Sequence, residues 1–95
     1  MIKFNIIIPS IKIDNLLIKC VNEITSQSFK NFSLSIIIEQ EDKINNLRNF
    51  LNKKKINYKI VISKLKNISS KRNLGSKQFE SEYLAFIDSD AYPLS

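Results

Sequence analysis

Two aspartates near the end of the chain, Asp88 and Asp90, have the type and spacing that most clearly suggest chemistry. They are two of only four aspartates in 95 residues, and they follow the apolar run of residues 84–87. Side chains two positions apart on an extended backbone project to the same side, with Cα atoms about 6–7 Å apart. Two such carboxylates can bind one Mg²⁺ or Mn²⁺ ion, because hard divalent ions take carboxylate and phosphate oxygens together. An Asp-x-Asp in an ordinary turn is the alternative interpretation.

A second candidate site is the stretch of residues 69–75, SSKRNLG, which we predict to open a helix. Gly75 is the only glycine in the chain, and glycine inside a helix costs about 1 kcal/mol relative to alanine. Close approach of another backbone or of a ligand would justify it. Helix N-terminal N–H groups near Lys71 and Arg72 would suit an anion. A basic solvent-facing helix that tolerates its glycine explains the same residues.

The acidic stretch of residues 39–42, EQED, is a third candidate. Glu39 at the tip of a strand could accept hydrogen bonds from a nucleobase, whereas a plain loop with Asp42 as the helix cap is the alternative. The chain has no histidine, which excludes Ser-His and Cys-His nucleophiles. One glycine cannot supply a Walker or Rossmann phosphate loop. The single cysteine, Cys20, excludes an internal disulfide and lies in a helical apolar stripe, so we interpret it as a core residue.

The elements that would position these residues alternate along the chain. Buried apolar runs predict strands near residues 4–8, 34–39, 58–62 and 83–87. Helical spacing of apolar residues predicts helices near 14–28, 43–54 and 69–80, the first capped by Asp14. This alternation predicts an α/β fold with one parallel sheet and right-handed crossovers. Ligands bind beyond the carboxyl ends of such strands, which is where Pro9, Ser10, Glu39 and residues 88–90 would lie.

Composition and charge narrow the choice of partner. Fifteen Lys and Arg against nine Asp and Glu give a net charge of +6, which favours a polyanionic partner or an anionic surface. The lysines are scattered and no interleaved aromatics accompany them, so we expect no nucleic-acid binding. No segment reaches the roughly 20 apolar residues of a membrane span, and we predict a cytoplasmic location.

Four short segments, in order, resemble family 2 glycosyltransferases of the GT-A fold. Residues 4–10 (FNIIIPS) are similar to the first strand of that family. Residues 24–29 (ITSQSF) are similar to the end of its first helix, residues 70–75 (SKRNLG) to its Ala-Arg-Asn segment, and residues 82–93 (EYLAFIDSDAYP) to its Asp-Ser-Asp segment. The resemblance covers essentially the whole chain.

The resemblance implies a truncated GT-A half-domain, with residues 1–95 as a single partial domain that binds a nucleotide-diphosphate sugar and a divalent metal, Mn²⁺ or Mg²⁺. The acceptor-binding half and the catalytic-base carboxylate of the family lie further on. No catalytic residue is therefore assigned here, and these residues alone should be inactive. A glycan or lipid acceptor would bind the missing half, and the full-length protein would work in the cytoplasm or at the cytoplasmic face of a membrane.

The resemblance also implies roles for individual residues. Asp90 would coordinate the metal that bridges the diphosphate, with Asp88 near the ribose or a metal-bound water. The other residues that it places around the nucleotide sugar are Pro9, Ser10, Glu39, Arg72, Asn73, Gly75 and Ser89. The family commonly carries Asp-Asp-Gly-Ser where this chain has residues 39–42, so the identity of the base stays open.

Two other functions are compatible with the residues themselves. The first is a stand-alone basic α/β module that binds nucleic acid or an acidic protein. The second is an incomplete phosphate-binding or receiver-like domain, which should not recognise a nucleoside. We also predict that the last strand, lacking later neighbours, promotes self-association into a homo-oligomer.

Overall fold

The computed structural model describes residues 2–27, 31–64 and 67–87. Seven elements alternate as predicted: β1 (Ile2–Pro9), α1 (Asn15–Thr25), β2 (Phe32–Ile38), α2 (Ile44–Lys54), β3 (Asn57–Ile62), α3 (Ile68–Ser76) and β4 (Ser81–Phe86). The four strands form one sheet in the order β3-β2-β1-β4. Every neighbouring pair is parallel. The predicted α/β fold with a parallel sheet is therefore confirmed.

The two central strands are the most apolar segments of the chain. β1 pairs with β2 in a register that sets Ile6 beside Leu34 and Ile8 beside Ile36. All seven residues of β2 are buried. Strands covered on both faces read as continuous hydrophobic runs, which is why β1 and β2 could be recognised from sequence.

The helices divide between the two faces of the sheet. Leu17 and Val21 of α1 and Leu47 and Leu51 of α2 belong to one core cluster with alternate residues of β2. α3 packs on the other face, where Gly75 lies against Ile7 of β1. The chain moves outward from β1 to β3 and then crosses back to β4. Right-handed crossovers therefore place α1 and α2 on one face and α3 on the other.

Helix α1 begins as predicted. The Asp14 side chain accepts a hydrogen bond from the Leu17 N–H at 3.0 Å. Asp42, in contrast, is not the cap of α2. The N-cap is Lys43 in the left-handed conformation (φ 66°), and it makes no side-chain capping bond. The tight loop between β2 and α2 fixes this backbone geometry and moves Asp42 out of the capping position.

Helix α3 is shorter than predicted and begins slightly earlier. Asn67 is its N-cap, and the Asn67 side chain accepts from the Ser69 N–H at 2.7 Å. The helix ends at Ser76 rather than near residue 80, because the connection to β4 at Ser81 must turn within four residues. No helix in the described ranges is long and apolar enough to cross a membrane.

Candidate functional site

The strand order marks the carboxyl ends of β1 and β4 as the candidate binding site. The connections that follow β1 and precede β4 run on opposite faces of the sheet, which makes this pair the topological switch point where open α/β sheets bind ligands. The Ile87 N–H donates to the Ile7 carbonyl at 3.0 Å, so pairing with β1 continues to the residue before Asp88. The three residues Asp88, Ser89 and Asp90 lie outside the described residues.

Pro9 and Ser10 lie at the carboxyl end of β1, beside this candidate site. Pro9 is buried and stands beside Ile37 of β2. The Ser10 N–H donates to the Ile37 carbonyl at 2.8 Å, and its hydroxyl donates to the Lys12 carbonyl at 3.0 Å. These bonds shape the loop after β1 and place both predicted residues at the carboxyl edge of the sheet.

Glu39 follows β2 at the same edge, and its backbone is fixed by the β1 loop. The N–H groups of Glu39 and Gln40 both donate to the Ile11 carbonyl at 3.0 Å. The Glu39 carboxylate forms an ion pair with the Lys71 ammonium of α3, through Oε2. The side chains are only 13% and 6% exposed, respectively. The structure thus brings two of the three sequence candidates, the acidic stretch and the basic helix, into contact.

The sequence predicts Lys71 only as one charge at a basic helix start and does not predict its ion pair with Glu39. The two residues are 32 positions apart, so no local pattern links them. The strand order explains the contact: α3 crosses over β2 to reach β4, which brings the first turns of α3 toward the end of β2.

The predicted residues Arg72, Asn73 and Gly75 have different environments within α3. The Arg72 guanidinium lies 5.6 Å from the centre of the Phe86 ring, which places it toward β4 and the switch point. Asn73 is exposed. Gly75 is buried, and a Cβ atom there would collide with the Ile7 side chain. Packing against β1 therefore accounts for the glycine, and its predicted role near the phosphates stays a prediction.

A buried polar chain holds α3 on the sheet and was not predicted. The Ser35 hydroxyl donates to Asn5 Oδ1 at 2.6 Å, and Asn5 Nδ2 donates to the Gly75 carbonyl at 3.1 Å. Asn5 and Ser35 are fully buried. Asn5 thereby satisfies a backbone carbonyl of α3, and these bonds fix α3 relative to β1 and β2.

The first turn of α3 differs from the predicted anion site. The N–H groups of Ser69 and Ser70 donate to Asn67 Oδ1 at 2.7 and 3.4 Å. The Asn67 side chain therefore occupies the donors that the sequence offered to an anion. An anion could use them only by displacing Asn67.

Metal binding and cysteine chemistry have little support among the described residues. Within these ranges, no group of three or more His, Cys, Asp or Glu side chains could hold a metal ion. The predicted metal ligands Asp88 and Asp90 are outside them. Cys20 is buried in the core cluster, as predicted. Burial raises the pKa of its thiol, and the nearby Glu23 charge raises it further.

Comparison with known proteins finds similarity to a bacterial glycosyltransferase. The chain is 24% identical over 97% of its length to poly(ribitol-phosphate) beta-N-acetylglucosaminyltransferase TarS of Staphylococcus aureus, strains Mu50 and MW2. Crystal structures of S. aureus TarS 1–349 superpose with TM-scores of 0.76 for the complex with UDP and 0.74 for the complex with UDP-GlcNAc. The sequence identities are 26% and 25%, respectively, and both matches cover 93% of this chain. The matched part is 27% and 26% of the length of the two crystallised TarS chains. The chain has the fold of the TarS N-terminal region.

This relationship confirms the predicted resemblance to a GT-A glycosyltransferase, and it supports a nucleotide-sugar glycosyltransferase as the kind of protein. The chain spans only 17% of the length of the curated TarS sequences. No protein-family model matches the chain.

Proposed function

We propose that this chain is the donor-binding part of a glycosyltransferase and that the donor is a uridine diphosphate sugar. The observation that carries the proposal is the fold: TarS 1–349, which superposes on 93% of this chain, has been crystallised with UDP and with UDP-GlcNAc. Three of the predicted residues also lie near the carboxyl ends of the strands. Ser10 follows β1, Glu39 follows β2, and Arg72 of α3 lies over the Phe86 ring at the end of β4.

A divalent metal, Mn²⁺ or Mg²⁺, completes the proposed donor site. Asp90 would bind the ion directly, and Asp88 would contact the ribose or a metal-bound water. When bound, the metal would neutralise the diphosphate as it becomes the leaving group. Arg72 lies over Phe86 at the end of β4, where a fixed cation would add to that stabilisation. Support for the metal comes from the Asp88-Ser89-Asp90 sequence after β4.

Sugar transfer itself requires residues beyond these. We propose that an acceptor glycan or lipid binds a further part of the full-length protein, which also supplies the catalytic base. The described residues would then bind the donor without transferring the sugar. The proposed setting is the cytoplasm or the cytoplasmic face of a membrane, where nucleotide sugars would be available to this site.

Isothermal titration calorimetry tests the proposal directly. The 95-residue chain should bind UDP and UDP-GlcNAc in Mn²⁺, lose most of that affinity in EDTA, and bind ADP and GDP more weakly. Failure to bind any nucleoside diphosphate in Mn²⁺ would overturn the proposal.

The net charge of +6 favours one second candidate, a basic module that binds nucleic acid. Binding of this kind weakens steeply with salt and needs no metal. Fluorescence anisotropy with random-sequence DNA at 50 and 200 mM NaCl separates the two functions. Tight, salt-sensitive, EDTA-resistant DNA binding would favour the second candidate.

A further inference from the structure

The buried ion pair between Lys71 and Glu39 needs a physical explanation. It joins the end of β2 to the second turn of α3, and Lys71 is only 5% exposed as a whole residue. Removing two charges from water costs free energy that their attraction does not always recover. An apolar pair would tie α3 to the sheet as well, so tethering the helix does not by itself account for the charges.

The two partners differ in their access to solvent. The Lys71 side chain is 6% exposed and the Glu39 side chain 13%. Lys71 is the more enclosed partner, whereas the Glu39 side chain is the more exposed one and follows β2 at the carboxyl edge of the sheet. The ion pair engages Oε2 and so leaves Oε1 as the oxygen to which a ligand can donate.

The backbone under Glu39 is fixed independently of the ion pair. The N–H groups of Glu39 and Gln40 share the Ile11 carbonyl as acceptor, each at 3.0 Å. The side-chain torsions of Glu39 are then the main remaining freedom, and Lys71 removes it. The pair therefore presents a charged acceptor in one orientation.

We infer that Lys71 is a positioning residue that sets base selectivity, because its ion pair with Oε2 holds the Glu39 side chain so that Oε1 is directed at a ring N–H of the nucleobase. Uracil offers such a donor at N3, whereas cytosine has an acceptor at the same position. A fixed carboxylate thus attracts uracil and repels cytosine, and the two effects add. This inference rests on the proposed function and specifies how its site distinguishes bases.

Calorimetry with three probes measures that selectivity: UDP, N3-methyl-UDP and CDP, all in Mn²⁺. The wild-type chain should prefer UDP to both other probes. Lys71→Met should raise the dissociation constant for UDP at least tenfold, because a hydrogen bond to a charged group is worth about this much. It should lower the dissociation constant for CDP, because the carboxylate is no longer held against the cytosine acceptor. Lys71→Arg should retain most of the preference for UDP, because arginine can form the same ion pair.

Lys77→Met, which removes an exposed lysine from the end of the same helix, is the matched control. It should change neither dissociation constant.

The outcomes separate this inference from the proposed function. A wild-type chain that binds no nucleoside diphosphate means that the proposed function has failed. A wild-type chain that prefers UDP, together with a Lys71→Met variant that keeps the same UDP-to-CDP ratio, overturns the role of Lys71 alone. If Lys71→Met is unfolded at the assay temperature, Glu39→Gln carries the test. It should lower the ratio at least tenfold while Lys71→Arg stays within about threefold of wild type, and an unchanged ratio in Glu39→Gln overturns the inference.

Discussion

Gly75 occupies the point where α3 comes closest to β1. A Cβ atom there would overlap Ile7 Cγ2 and lie 3.2 and 3.3 Å from Cγ1 and Cβ of the same side chain. Ile7 is fully buried on a central strand, so it has little room to move. We expect Gly75→Ala to lower the free energy of unfolding by about 1–2 kcal/mol, because overpacking costs about 1–3 kcal/mol and alanine recovers up to about 1 kcal/mol of helix propensity. Urea denaturation measures the change.

The control for this prediction removes the obstacle instead of the glycine. In an Ile7→Ala background, the added methyl group of Gly75→Ala meets no Cγ atoms, so its cost should disappear or change sign. An equal cost in both backgrounds would mean that backbone conformation, and not the contact with Ile7, requires glycine at this position.

Asp88 and Asp90 give the second prediction at the scale of residues. Asp90→Ala should abolish the shift in melting temperature produced by Mn²⁺ with UDP, because the ion would be left to water and phosphate alone. Asp88→Ala should weaken binding by about 1.5–3 kcal/mol, the value of one hydrogen bond to a charged acceptor. Thermal melts with and without Mn²⁺ and UDP measure both effects.

The apo protein provides the control for the metal site. Two neighbouring carboxylates repel each other when no cation is present, so both variants should melt at or slightly above the wild-type temperature without ligand. Variants that keep the full ligand-induced shift would show that Asp88-Ser89-Asp90 is an ordinary turn.

At the scale of elements, α3 depends on a cap that the sequence did not reveal. Asn67 accepts two backbone N–H groups of the first turn. We expect Asn67→Ala to cost about 1 kcal/mol of stability, as loss of an N-cap commonly does. Asn67→Asp should retain most of it, because aspartate caps equally well and suits the helix dipole. Chemical denaturation of both variants beside Asn73→Ala, an exposed position of the same helix, tests this. Equal losses in Asn67→Ala and Asn73→Ala would argue against the cap.

The elements also show which features local sequence can and cannot predict. The α1 cap at Asp14 and the buried runs of β1 and β2 were recognisable, because each depends on residues close in sequence. The cap at Asp42 was wrong, since the geometry of the loop, not the residue type, decides which position precedes α2. The end of α3 was misplaced because the prediction extended the helix to Phe79, whereas the chain leaves the helix after Ser76 to turn into β4.

At the scale of the whole molecule, alternation of strands and helices was enough to predict a parallel sheet, but not the order of its strands. That order depends on which way the chain turns after β3, and no single segment encodes it. The Lys71–Glu39 pair and the chain of bonds through Asn5 depend on the same crossover. These contacts therefore could not be predicted before the topology was known. The position of Ser10 and Glu39 at the carboxyl edge of the sheet could be predicted, because all strands of a parallel sheet end at the same edge.

The order of the strands leads to a final prediction, on self-association. Among the strands of the described residues, β4 lies at the edge of the sheet. Its residues Tyr83, Leu84 and Phe86 are 54%, 48% and 45% exposed. An unpaired strand edge with apolar side chains recruits other chains, so we expect the 95-residue chain to form dimers or larger species as its concentration rises.

Leu84→Lys should shift the population toward monomer, because a charge on the edge opposes pairing. Leu16→Lys, which changes an exposed leucine of α1, should leave it unchanged. Sedimentation velocity over a hundredfold range of concentration measures the populations. A wild-type chain that stays monomeric throughout would show that β4 does not recruit a second copy.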